Sequence, residues 1–170
     1  MVRCFIAVYP IKSEKVYELQ KRIKEFIEGK EVERENMHVT LSFLGEKNER
    51  ELTIIKDKLE KIAKKSHKRV AILTRIKFIP NERFLRVIAI DVNGLDDLSE
   101  SIEKEIDGDV KPPHLTLFRV KNVKDKKSLI ELSKIEVNEA FFVDKIHLMR
   151  STLTPKGPIY KIEQSFDLSD

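Results

Sequence analysis

Tryptophan is absent from this 170-residue chain, cysteine occurs once, and only four histidines, five glycines and two glutamines are present. Each shortage excludes something. A single cysteine, Cys4, cannot close an intrachain disulfide, so stability must come from an apolar core, and a reducing compartment is expected. Cys4 sits inside an apolar strand pattern and reads as a small buried hydrophobe. No apolar run approaches the ~20 residues that span a bilayer. The N-terminal MVRCFIAVYP has an apolar stretch too short and too strand-like for a secretion signal. These absences point to a soluble, cytoplasmic protein with no membrane partner. Spacings such as HExxH and CxxC are missing, and no third metal ligand stands at a recognisable distance from any histidine, so neither a metal nor another cofactor is expected. Low-complexity tracts and long linkers are also missing. Residues 1–170 therefore read as one domain, expected to be a monomer because its length suffices for an independent core.

Charge is plentiful but nearly balanced, with 33 basic against 29 acidic residues and a net charge of +4. The excess mildly favours an anionic partner such as nucleic acid. A charged fraction of 36%, rich in Lys and Glu and poor in Gln, equally describes a heat-adapted surface.

The apolar patterning alternates between strand and helix periods. Residues 2–9 predict a strand. Ser13 is placed to cap a helix whose apolar face is Val16, Leu19, Ile23, Phe26 and Ile27, with Gly29 as its stop. Residues 46–65 predict a second helix carrying Leu52, Ile55, Leu59 and Ile62 on one face. Strands follow at 69–79 and 84–92, separated by a turn at Pro80-Asn81. A third helix spans Leu95 to Ile106 and ends at Gly108. A short helix is expected from Lys126 to Leu132, then strands at 135–150 and 158–166 joined by the turn TPKGP.

One element occurs twice. The sequence reads HVTLSFLG from His38 to Gly45 and HLTLFRV from His114 to Val120, so His-x-Thr-Leu recurs 76 positions later. Each copy is preceded by an apolar strand and a helix: FIAV at 5–8 before the first, VIAI at 87–90 before the second. Two strand–helix–strand units predict an α+β fold, bilobal and pseudo-twofold symmetric, with antiparallel sheets lining a central cleft. Such symmetry would bring two histidines that are distant in sequence to one cleft.

In an ideal strand, side chains alternate faces. His38, Thr40 and Ser42 would then share one side against Val39, Leu41 and Phe43, and His114 would share a side with Thr116. Two imidazoles and a set of hydroxyls suit displacement at phosphorus. A neutral His takes a proton from water, and a protonated His gives one to the departing oxygen. Hydroxyls hydrogen-bond the non-bridging oxygens where charge gathers. Arg119 would add a bidentate contact, but it lies five residues after His114, an odd offset that aims it away unless a bulge intervenes. Phe43 occupies the same place after His38. Core packing is its simpler expectation, and stacking on a nucleobase is the alternative. His67 and His147 lack the motif; His67 is expected to be solvated at a helix end, and neither enters the chemistry.

These residues resemble a known family. HVTLSFLG at 38–45, PHLTLFRV at 113–120, the N-terminal RCFIAVYP and STLTPKGPIY at 151–160 are similar to the 2H phosphoesterases. Within them they resemble the RNA 2′,3′-cyclic phosphodiesterases of the LigT/ThpR type, historically called 2′-5′ RNA ligases. The resemblance implies a bilobal fold with antiparallel sheets lining a cleft, and metal-independent hydrolysis of an RNA terminal 2′,3′-cyclic phosphate to a 2′-phosphomonoester. It implies that His38 is the acid that protonates O3′ and that His114 activates water. It also implies that Thr40, Thr116 and Arg119 hold the phosphate. Tyr160 fits the family's C-terminal pattern and is an equally good core or turn tyrosine. Phe118 departs from the pattern, since a small residue often stands between that Leu and Arg. Two alternatives use the same residues: ligation of the cyclic end to a 5′-hydroxyl, and an RNA-end binding module without turnover.

Overall fold

The computed structural model describes all 170 residues. It contains nine strands and four α-helices in an α+β arrangement. Strand β1 (Val2–Val8) leads to helix α1 (Glu14–Lys24), strand β2 (Ile27–Glu31), a short 3-10 turn at Arg34–Asn36 and strand β3 (Val39–Lys47). Helix α2 (Glu49–Lys64) and strand β4 (Arg69–Ile79) follow, then β5 (Val87–Asn93), helix α3 (Asp96–Glu105) and β6 (His114–Val123). The chain closes with helix α4 (Lys126–Ser133) and strands β7 (Glu136–Val143), β8 (Lys145–Thr154) and β9 (Gly157–Asp167).

Helix starts follow local capping chemistry. Ser13 Oγ accepts the Val16 N–H at 3.2 Å. Asn48 and Glu51 form a reciprocal capping box, at 2.8 and 3.1 Å, that starts α2 at Glu49, three residues after the predicted start at 46.

The strands form one curled sheet in the order β7-β4-β5-β6-β3-β1-β8-β9, with β2 added along β6, and the pairs between strands are antiparallel. Its two halves meet where β3 and β6 share a single pair, Val39 with Leu115. β1 and β3 belong to one half and β5 and β6 to the other, as the duplicated pattern predicts.

The helices do not stay with their own strands. Helix α1 follows β1 yet lies over the β6 half: Gln20 Nε2 donates to the carbonyls of Val32 and Leu117 at 3.1 and 3.3 Å, and Ser13 Oγ donates to Glu139 of β7 at 3.0 Å. Helix α3 follows β5 yet packs on β3 and α2. This exchange ties the halves together across the narrow β3–β6 junction. A single apolar cluster, fed by both halves and including Leu41, Leu59, Ile90, Leu98 and Leu117, fills the interior.

Two expectations fail here. Helix α1 stops at Lys24, and Ile27 to Glu31 is a strand with Gly29 inside it. Phe26 and Ile27 keep helical spacing, but tertiary contacts win. The Phe26 N–H closes a turn onto Ile23, and its carbonyl takes N–H groups from Lys124 and Asp125 at 2.8 and 3.2 Å. The stretch 135–150 is two strands, not one. Chain direction breaks at Asp144, so that β7 pairs with β4 at one end of the sheet while β8 pairs with β1 and β9 near the other.

Candidate active site

Both motif histidines are held by the same device. His38 Nδ1 lies 2.7 Å from the Asn36 carbonyl, and His114 Nδ1 lies 2.8 Å from the Pro112 carbonyl. In each case the partner is two residues upstream. A carbonyl oxygen only accepts, so Nδ1 carries a proton in each ring and Nε2 is the nitrogen left for other chemistry. Asn36 closes the 3-10 turn, and Pro112 opens the Pro112-Pro113 step; each sets a carbonyl beside the strand that follows.

The odd offset of Arg119 is resolved by bulges. Between β5 and β6 the register slips: Ile88 pairs with Phe118 but Ala89 pairs with Thr116, leaving Leu117 as the extra residue. Leu117 and Phe118 are consequently both buried, and Arg119 emerges on the side of His114 and Thr116. The first motif repeats this. Ile6 pairs with Ser42 but Ala7 pairs with Thr40, so Leu41 is extra. Leu41 and Ser42 are both buried, and Phe43 emerges at the cleft, 47% exposed. Strict alternation therefore misplaces Ser42 and Phe43, as it misplaces Phe118 and Arg119 in the second copy. Ser42 does not share the face of His38 and Thr40; it is sealed in the interior. Phe43 is not a core residue. The +5 positions of the two copies, Phe43 and Arg119, both border one cleft, and the +4 positions, Ser42 and Phe118, both face inward. Phe118, bulky where the family pattern often has a small residue, is accommodated in the core at 1% exposure.

The cleft encloses about 440 Å³ and is bordered by His38, Thr40, Phe43, His114, Thr116, Arg119 and Tyr160. All seven side chains singled out in the sequence thus meet in one place. Tyr160 comes from β9, and its ring stands edge-on to His38 with centroids 5.1 Å apart. Phe5 of β1, which the motifs did not suggest, backs both, 5.0 Å from the His38 ring and 5.1 Å from Tyr160. Phe5 pairs with Phe43 across β1 and β3 and shares its face, but it is buried behind the cleft, and no motif in the sequence marks it.

Burial lowers the pKa of His38; its Asn36 hydrogen bond raises it and the nearby His114 lowers it further. Burial raises the pKa of Tyr160, although Arg119 and Arg3 oppose this, so its hydroxyl stays protonated and can donate. Nowhere do three or more His, Cys, Asp or Glu side chains gather as a metal-binding group.

His147 is buried, with Nδ1 2.8 Å from Ser165 Oγ and a pKa lowered chiefly by burial. His67 is exposed beyond the end of α2, its Nδ1 3.1 Å from the Asp170 carbonyl. Neither borders the cleft. Sequence reasoning missed Lys30 and the carbonyls of Asn36 and Pro112, which carry no motif, and did not single out Lys156 within STLTPKGPIY. No helix is long and apolar enough to cross a membrane.

Comparison with known proteins shows the family. Residues 8–89 and 92–160 match the family described as LigT like Phosphoesterase. An RNA 2′,3′-cyclic phosphodiesterase of Methanocaldococcus jannaschii is 37% identical over 77% of this chain and 80% of its own length. One from Aquifex aeolicus is 33% identical over 99% and 98%. A crystal structure of a Thermus thermophilus protein superposes with a TM-score of 0.82 at 27% identity, covering 98% of this chain and 97% of that one.

Proposed function

The chain belongs to the LigT-like phosphoesterase family, and from that premise we propose that it hydrolyses a terminal 2′,3′-cyclic phosphate on RNA to a 2′-phosphomonoester, using two histidines and no metal. One observation carries the reading. Two imidazoles from duplicated strands, each with Nδ1 tied to a carbonyl and Nε2 free, border a cleft that also holds two threonine hydroxyls and Arg119.

The reaction needs a proton removed from water on one side of phosphorus and a proton supplied to O3′ on the other. His114 Nε2 accepts the water proton as the water oxygen bonds to phosphorus. The P–O3′ bond breaks, and O3′ takes the proton from His38 Nε2. The 2′-phosphate and 3′-hydroxyl leave, and solvent exchange returns the pair to its starting protonation. The cyclic diester carries one negative charge, which builds on its non-bridging oxygens as water attacks. Thr40, Thr116 and Arg119 meet that charge, and the Tyr160 hydroxyl is placed to donate as well. Burial lowers the pKa of His38 and favours its neutral form before substrate binds, so the acid role depends on the bound phosphate anion, whose charge draws a proton onto Nε2. Phe43 offers a ring platform beside the phosphate, where a nucleobase stacks.

The test is to incubate the protein, with excess EDTA, with an oligonucleotide ending in a 2′,3′-cyclic phosphate and to identify the end formed. A 2′-phosphate supports the proposal. Loss of activity in EDTA with recovery on adding zinc, a 3′-phosphate product, or no turnover at all would each refute it. Adding a 5′-hydroxyl oligonucleotide tests the reverse reaction: a 2′-5′ joined product in place of hydrolysis would make ligation the activity.

A further inference from the structure

Lys30 lies directly opposite Arg119 where β2 pairs with β6, and residues so paired share a face. Two cations opposed in this way destabilise a sheet unless something negative sits between or over them. No carboxylate does so here. The ion pairs of this region join Lys24 to Glu31 at 3.7 Å and Lys77 to Asp91 at 3.5 Å, and leave Lys30, Arg119 and Lys156 without an acidic partner. Glu31 and Glu33 also border the cleft, but Glu31 is paired with Lys24, and Glu33 forms no ion pair with Lys30, Arg119 or Lys156.

Lys30 is also held in place. Its Nζ donates to the Lys156 carbonyl at 3.1 Å, in the turn joining β8 to β9. The next residue of that turn is Gly157, with φ +116, and a Cβ there would lie 2.3 Å from Lys30 Nζ. The turn leaves the space that the ammonium fills. Asn36, which orients His38 through its carbonyl, fastens the same hairpin through Nδ2 to the Pro158 carbonyl at 3.3 Å. The ammonium is thus held at the border of the cleft, on a strand ~4.8 Å from the one that bears Arg119, and still has donors to spare.

We infer that Lys30, with Lys156 beside it, binds the phosphodiester on the 5′ side of the terminal nucleotide, and so makes the enzyme prefer oligonucleotide ends over free nucleoside 2′,3′-cyclic monophosphates. The inference rests on the function proposed above: Arg119 and the threonines hold the reacting phosphate, and Lys30 takes the next one along the strand. A cyclic mononucleoside without a 5′-phosphate has nothing for Lys30 to bind.

The experiment compares kcat/KM on a dinucleotide ending in a 2′,3′-cyclic phosphate with kcat/KM on the matching cyclic mononucleoside, for wild type, K30A and K30R. Lys30 is exposed, so both variants are expected to fold. Wild type should prefer the dinucleotide by about tenfold, the scale of one charge-assisted contact at an exposed site. K30A should bring the two substrates near parity by losing only the dinucleotide rate, and K30R should keep most of the preference. The salt dependence of dinucleotide KM should also become shallower by ~0.7 in log–log slope for K30A. An unchanged ratio in K30A, or an equal fall on both substrates, overturns the inference. No turnover of either substrate by wild type would instead overturn the function on which it rests.

Discussion

Gly29 to Ala is a small change at an exposed position, and the structure expects it to be costly. A Cβ on Gly29 would lie 2.3 Å from the Arg119 carbonyl oxygen, 3.0 Å from the Val120 Cα and 3.2 Å from the Arg119 carbonyl carbon. All three are backbone atoms and cannot rotate aside. Restoring ordinary contact at ~3.5 Å means separating β2 from β6 by about 1 Å at the residue that presents Arg119. Overpacking of this kind costs about 1–3 kcal/mol, which for a chain of this size lowers Tm by roughly 3–10 °C. A displacement of ~1 Å in a substrate-positioning group costs on the order of 100-fold in rate. Tm by calorimetry and kcat/KM on a cyclic-phosphate end are the assays, with G45A as the comparison. Gly45 has φ +76, but a Cβ added there would meet nothing within 4 Å, so G45A should cost about 1 kcal/mol of stability and leave activity unchanged. If the loss in G29A runs through Arg119, the double variant G29A/R119A should be no slower than R119A. Wild-type Tm and kcat/KM in G29A would refute the close-approach argument, and multiplying losses in the double variant would refute the route through Arg119.

Two further outcomes follow from the cleft and its surroundings. F43A should raise KM about tenfold or more, the scale of one base–aromatic stack, with Tm nearly unchanged because Phe43 is 47% exposed; a large fall in Tm would return Phe43 to the core. Both His38 and His147 have pKa values lowered by burial, so each resists protonation when folded. Their contribution to stability is present above the ordinary imidazole pKa of about 6.5 and is lost as pH falls through the lower folded values. Tm should therefore drop as pH falls below about 6.5, and drop less in H147Q, as followed by thermal melts; an equal drop would place the sensitivity elsewhere.

The parts of this molecule that local patterning could reveal were those whose reasons are local. The apolar faces of α2 and α3, the capping Ser13 and both His-x-Thr-Leu strands depend on neighbours a few residues away, and the structure has them. The end of α1 depends on Lys124 and Asp125, some hundred positions away, which claim the Phe26 carbonyl. Gly29 reads as a helix stop by its position, but its requirement comes from the backbone of Arg119 pressed against it. The bulges left a faint trace, since Leu117-Phe118 breaks polar–apolar alternation with two apolar residues in a row. Leu41-Ser42 leaves none, because a serine in a strand reads as exposed and here is fully buried. Lys30 and Lys156 are two lysines among many, and only pairing of β2 with β6 and the reach of the β8–β9 turn set them at the cleft.

The central claim is that His38 and His114 act on one phosphorus atom as acid and base in a single step. Measuring kcat/KM on an oligonucleotide 2′,3′-cyclic phosphate for H38A, H114A and the double variant tests it most directly. Each single variant should lose on the order of 10²–10⁴-fold, and the double should be little worse than either single, because groups that work in one step do not lose additively. A single variant that stays within about tenfold of wild type, or a double variant whose loss is the product of the two, would contradict it.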